Sequence, residues 1–545
     1  MSAAAAESRP LPHSAPAAVW KPRRNRWVIA LTVTLATFME VLDTSIANVA
    51  LPHIAGGLGA SQDEATWVLT SYLVANAVIL PASAYFTTFI GRKKFYMICV
   101  ALFGISSALC GLAPSLPLLI LFRVMQGIGG GGLAPSEQAI LADTFEPAKR
   151  GQAFALYGLA VVVAPAIGPT LGGYITDNFD WRWIFFINVP VAILSLFLTS
   201  RIVEDPPHIV EEVKKTQRGG LQLDFFGFGL LAVGFGSLEF VMDKGQEDDW
   251  FGSRLITTFA VSCAIALVSL IAWELYQIKR KKRPILDLTL FKHRNFAVSF
   301  VLMGILGIVL FGTTVLIPQF VQSLLGYTAE LAGLVISPGG VMVMLMMPIV
   351  GFLVSRVDPR WMIVYGFTIS SLALFTMLDL DIGASYWHIA MLRVFQAAGL
   401  AFLFIPINTL SYSGIPIQKN NDVSGLTNLA RNIGGSMGTA FVVTVLARRQ
   451  QFHQARLTGR VDFSSINLFN RLNALGSYLL HSGRVSSLAQ GRSLAQGSIY
   501  QQLIQQSTML AYLDVIKCLA IAMAVAIPFV FLMKRPKKGA APVGH

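Results

Sequence analysis

The chain has 545 residues, of which 54% are hydrophobic and only 13% charged, with a net charge of +13. A soluble domain carries about a quarter of its residues as charged groups, so this composition argues against a fold whose whole surface faces water. The apolar residues come in blocks of about 20, the length of a membrane-spanning helix, and lack the alternation of barrel strands; an all-α polytopic membrane protein is expected.

In chain order, residues 1–26 are a basic tail, read as cytoplasmic. The apolar block after Arg26 is too long for a signal peptide and is read as a retained first span. Fourteen spans are expected, at 27–50, 66–88, 95–113, 118–140, 153–175, 183–200, 225–243, 255–276, 296–318, 331–355, 362–380, 386–407, 426–447 and 514–533. With both termini on the inner side, the inner segments carry 28 of the 42 Lys and Arg residues. The short outer loops carry only Arg182, Lys244 and Arg254. That is the positive-inside pattern of an even span count with both termini cytoplasmic, and it accounts for the net charge without nucleic acid as a partner. The lipid bilayer is the expected contact of these basic loops.

Span 1 holds Glu40 and Asp43, three residues apart and so on one helix face. The loop after span 2 holds Gly91, Arg92, Lys93 and Lys94. Span 4 holds Arg123 and, nearly four turns later, Glu137. Spans 1 and 4 run in opposite directions, which puts Asp43 and Arg123 at one depth, where they can pair if the two spans are neighbours. Ionisable residues inside a span are costly and mark pathways or pairs. A carboxylate whose pKa depends on burial and on a movable Arg can load and release a proton. Asp43 with Arg123 is therefore a candidate coupling pair, with Glu40 and Glu137 as second carriers or a cation site; a static salt bridge is the alternative. Span 5 runs from Gly158 through Pro165, Gly168 and Pro169 to Gly172 and Gly173. These glycines permit close helix approach, and the prolines kink the span, so a pliable gate is expected. Gly127 and Gly129 to Gly132 give span 4 a thin surface to match.

Glu239 and Glu274, in spans 7 and 8, are expected at helix ends or in solvent. Span 12 repeats span 4: Arg393-Val-Phe-Gln396 follows Arg123-Val-Met-Gln126 by 270 residues. The chain thus divides into a six-helix half at 27–200, an insertion at 201–295 holding spans 7 and 8, and a six-helix half at 296–533 with a cytoplasmic tail at 534–545. Paired halves around a midplane site are a transporter design. Phe311, Gln319, Phe320, Phe404, Asn408 and Arg431 are candidates to line that cavity. The outer loop 448–513 is expected to be partly helical. The four cysteines match no metal or redox spacing and are read as core residues. No phosphate-binding loop, catalytic motif, cofactor or metal site is apparent, so an enzyme is not expected.

These motifs, in this order, resemble the fourteen-span drug:proton antiporters of the major facilitator superfamily, and among them the EmrB-type multidrug exporters. The resemblance covers roughly residues 25–535. It rests on Leu42-Asp43-Thr-Ser-Ile-Ala-Asn48-Val-Ala-Leu-Pro52, Arg123-Val-Met-Gln-Gly127, the stretch Gly158–Gly173, and Trp183-Ile-Phe-Phe-Ile-Asn-Val-Pro190. It implies the major facilitator fold, proton-driven export of hydrophobic or amphipathic compounds, and a place in a three-part pump with a periplasmic adaptor and an outer-membrane channel. An exporter dedicated to one metabolite or toxic acid, or a transporter-like sensor, is the alternative. The chain departs from the family where Thr88 and Phe89 replace an Asp and an Arg ahead of Gly91, which puts the cytoplasmic charge latch in doubt.

Overall fold

The computed structural model describes residues 22–146, 149–218, 224–459 and 466–535. Among them all regular structure is helical. Thirteen helices are long and apolar enough to cross a membrane, and a bent pair makes a fourteenth. In order the spans are Arg26–Leu58, Gln62–Ile90, Arg92–Gly111, Leu116–Thr144, Arg150–Asn178, Trp183–Ile202, Phe225–Lys244, Arg254–Lys279, Arg294–Leu325, Ala329–Leu353, Pro359–Asp379, Tyr386–Ser411, Asn420–Thr458 and Leu488–Val530. The fifth is the bent one, turning by 42° between Arg150–Pro165 and Ile167–Asn178.

Local chemistry sets several ends. The Asn25 side chain accepts from the Trp27 amide at 2.9 Å and caps span 1. Asp358 caps span 11 just ahead of Pro359, whose fixed φ suits the first helical position. Gly59 closes span 1 at φ +63°, a conformation that would strain a side chain.

The two halves repeat one packing pattern. Span 1 packs on 5 and 6, and span 4 on 2 and 3, while span 3 also meets 6. Spans 9 with 13 and 14, 12 with 10 and 11, and 11 with 14 reproduce those pairs. Across the seam, span 5 lies along span 10 and span 2 along span 13, two pairings that the repeat exchanges. Spans 7 and 8 form a hairpin, with span 7 packed against spans 2 and 13 at one side of the seam.

At the basic-loop face the halves interlock. Arg92 pairs with Asp143, and Asn420 Nδ2 donates to the same carboxylate at 2.6 Å. Asn421 Nδ2 donates to Thr87 Oγ1 at 2.7 Å. Phe154 stacks on Tyr412 with ring centroids 5.3 Å apart. The amphipathic helix Pro207–Arg218 packs on span 2 at this face, where Gln217 Nε2 donates to the Phe89 carbonyl. At the opposite face spans 13 and 14 run on. Their 39 and 43 residues reach about 58 and 64 Å, twice the hydrocarbon thickness of about 30 Å. With helix Ile466–His481 packed on span 14 they form a helical protrusion.

Two expectations are corrected here. Glu239 and Glu274 lie near the ends of their helices but not in solvent: they are buried, at 6% and 0% exposure, where Ser436 Oγ donates to Glu239 at 2.6 Å and the Ile285 amide to Glu274 at 3.1 Å. Cys518 is exposed, while Cys99, Cys110 and Cys263 are buried.

Candidate functional site

Asp43 and Arg123 meet inside the first half. Arg123 Nη1 lies 2.6 Å from Asp43 Oδ2, and both side chains are almost wholly buried. Neither charge is left to bare hydrocarbon. Gln126 Nε2 donates to Asp43 Oδ1 at 3.0 Å and Asn188 Nδ2 to the same oxygen at 2.6 Å. Arg123 also donates to the Val68 carbonyl and to Gln126, and sits 4.4 Å from the Tyr72 ring centroid. The carboxylate thus has donors on both oxygens from spans 4 and 6, and a proton arriving there displaces at least one of them.

Glu40 and Glu137 are built differently. Glu40 Oε1 accepts from Asn76 at 3.1 Å and from Tyr72 at 3.3 Å, while its Oε2 is buried without a partner. Glu137 Oε1 accepts from Thr34 at 2.6 Å, and its Oε2 too has no partner. Span 13 of the other half brings Arg431 to the seam. Its Nη1 donates to the Tyr157 hydroxyl at 2.8 Å, and that hydroxyl donates to Asn428, which in turn donates to Gln138 at 2.9 Å. This chain of polar groups crosses the seam, and Phe404 closes it by stacking on Tyr157 at 5.6 Å. Two carboxylates with an open oxygen each, a guanidinium on the facing half and aromatic walls can hold and exchange a proton or a charged organic group. Among the described residues no cluster is fit to hold a metal ion.

The other sequence candidates divide. Gly158 lies at the seam, where an added Cβ would strike Phe404 and Met347 of the other half. Gly168 and Gly172 seat Ser45 and Ile46 of span 1, and Ser45 donates to the Pro165 carbonyl at 3.3 Å. Pro169 approaches Gly333 of span 10. Gly173 faces open space and seats nothing, against expectation. The glycines of span 4 pack on spans 2 and 3, not on span 5. Phe311 packs on Gly435 within the second half. Asn408 is buried and donates to its own helix at Phe404. Gln319 lies away from the seam, on a cleft of about 500 Å³ shared with Tyr512 and the start of span 14. Phe320 also packs on Tyr512.

Gly91 takes φ +90°, which only glycine adopts freely. The turn lets the Lys93 amide donate to Asp205 at 2.9 Å. The basic-face contacts are made by Arg92 with Asp143 and by Thr87, without the residues that Thr88 and Phe89 replace. Sequence reasoning missed Gln126 and Asn188 as partners of Asp43. Both stood inside quoted motifs, and an amide at a buried span position was the available signal.

The sequence profile described as Major Facilitator Superfamily matches residues 33–439. The chain is 36% identical to the multidrug export protein EmrB of Escherichia coli (strain K12), over 95% of this chain and 97% of that one. It is 36% identical to the fatty acid resistance protein FarB of Neisseria gonorrhoeae, over 94% and 96% of the two chains. Among solved structures, the human organic anion transporter MFSD10 superposes with a TM-score of 0.57 over 93% of this chain and all of the other, at 11% identity, a likeness of fold alone.

Proposed function

The chain belongs to the major facilitator superfamily and is a membrane transporter rather than an enzyme, and from that premise we propose that it exports hydrophobic and amphipathic compounds in exchange for protons. The observation that carries this reading is the polar chain across the seam, from Arg431 through Tyr157 and Asn428 to Gln138, next in sequence to Glu137, which like Glu40 keeps one buried oxygen open. Exchange needs a charged site that both halves touch and that their relative motion re-forms. A proton on either open Glu oxygen removes a buried negative charge and so changes what the two halves gain by closing. Asp43 serves the same cycle by trading Arg123 for a proton, since each of its oxygens already has a donor to lose. The similarity to EmrB, a multidrug export protein, supports the drug-export part of the reading.

The basic loops face the cytoplasm by the positive-inside rule, so both termini lie there and the interlock of Arg92, Asp143 and Asn420 closes the inward path. The membrane is the bacterial inner membrane. The protrusion built on spans 13 and 14 then stands in the periplasm, where a periplasmic adaptor leading to an outer-membrane channel would dock. The two six-helix halves act as the moving bodies, with spans 7 and 8 as an added hairpin.

A second reading, a dedicated exporter of a toxic organic acid, draws on Arg431 as a fixed cation at the seam and on the printed name of FarB. Transport into everted vesicles under an imposed pH gradient, with matched lipophilic cations, uncharged drugs and fatty acids, separates the two. Gradient-driven uptake of several classes supports the broad exporter, and uptake of acids alone supports the second reading. Uptake that ignores the gradient removes proton exchange from both.

A further inference from the structure

The second half holds an arginine that the coupling chemistry of the first does not use. Arg393 is the eighth residue of span 12, as Arg123 is of span 4, and it is 6% exposed. Its Nη1 donates to Gln396 Oε1 at 2.5 Å and to Thr313 Oγ1 at 3.1 Å. Gln396 and Thr313 follow Gln126 and Asp43 by the same 270 residues. The cradle for a guanidinium is repeated, but the acid is not. Thr313 Oγ1 is engaged with the Val309 and Leu310 carbonyls of its own helix and supplies no charge.

Among the described residues no carboxylate forms an ion pair with Arg393, where Arg123 has Asp43 at 2.6 Å. Arg393 Nε and Gln396 Nε2, both donors, are buried without partners. A guanidinium does not shed its proton in proteins, and an unpaired buried charge costs several kcal/mol. Two open N–H donors beside a fixed positive charge specify an anionic acceptor. Span 10 packs closely on the stem of Arg393, where an added Cβ on Gly339 would stand 3.0 Å from Arg393 Cγ.

We propose that the second half binds a small inorganic anion, chloride in cell fluids, at Arg393 Nε and Gln396 Nε2, beside Thr313, the residue that stands where Asp43 stands in the first half. One half then carries its counter-charge on the chain, and the other takes it from solution. The site is independent of which compound is exported and of whether protons drive the export.

The test is thermal unfolding of the purified full-length chain in sodium chloride or bromide against sodium gluconate at constant ionic strength. Halide raises the wild-type Tm saturably, by roughly 3 °C. Thr313→Asp puts the carboxylate on the chain, so its Tm in gluconate reaches the wild-type value in chloride and no longer responds to halide. Arg393→Met also loses the response. A wild-type Tm equal in the two salts overturns the proposal. So does a Thr313→Asp variant that keeps the full halide response, an outcome readable even if Arg393→Met does not fold.

Discussion

The two sets of buried acids differ in how many donors they hold, and that difference sets what each substitution costs. Asp43 accepts from Arg123, Gln126 and Asn188. Asn188→Leu removes the 2.6 Å donor, and a hydrogen bond to a charged group contributes about 1.5–3 kcal/mol. We expect a lower Tm with the transporter still folded. Asp43→Asn leaves Arg123 buried without its counter-charge, at a cost of about 3–5 kcal/mol, and is expected to lower Tm more than Asn188→Leu. If the order is reversed, the amide matters more than the ion pair. Glu40→Gln and Glu137→Gln keep a side chain of the same shape where one oxygen is already unpartnered. These variants are expected to hold Tm near wild type while losing gradient-driven uptake. Loss of both together marks the glutamates as structural. The matching depth of Asp43 and Arg123 was legible in the sequence, because span direction and helical rise fix where each residue lies, but that spans 1 and 4 bring them together came from the structure. The open oxygens of Glu40 and Glu137 were not, since they depend on which neighbours fail to reach them.

At the scale of the helices, glycine positions separate into seats and gaps. Gly158 sits at a close contact of span 5 with the other half, against Phe404 and Met347, while Gly173 meets nothing. Gly158→Leu is therefore expected to cut the transport rate about tenfold or more with the chain still inserted, because overpacking the seam costs about 1–3 kcal/mol. Gly173→Ala is expected to transport as wild type. Equal effects at both positions would mean that the seam is not where span 5 moves. Element existence was readable throughout, since blocks of apolar residues have one stable form in a bilayer. Reach was less so. Spans 13 and 14 run past the apolar blocks at 426–447 and 514–533 because Arg449 and His453 both meet Asp514 across the two helices, at 2.5 and 2.7 Å. Burial of Glu239 was hidden for a similar reason, since Ser436 lies almost two hundred residues away.

Across the whole molecule, polar and aromatic contacts join the halves at the basic face. Ser424 lies behind that interlock and is fully buried. In a variant without native cysteines, Ser424→Cys is expected to resist a membrane-impermeant thiol reagent supplied from the basic face. Adding Arg92→Gln, which takes away the partner of Asp143, is expected to expose it. Unchanged protection would place the closure elsewhere. The 270-residue repeat announced the two halves, and the matching span pairs bear it out. It did not reveal that Thr313 takes the place of Asp43, because a repeat found through Arg and Gln says nothing of the position where the halves diverge. Exchange through the seam acids moves protons, and that movement can be read on its own. In proteoliposomes with a pH dye inside, adding a transported compound should drive protons the opposite way, and Asp43→Asn with Glu40→Gln and Glu137→Gln should abolish that proton signal. Compound movement without a proton signal in the wild type, or full exchange in the triple variant, would contradict it.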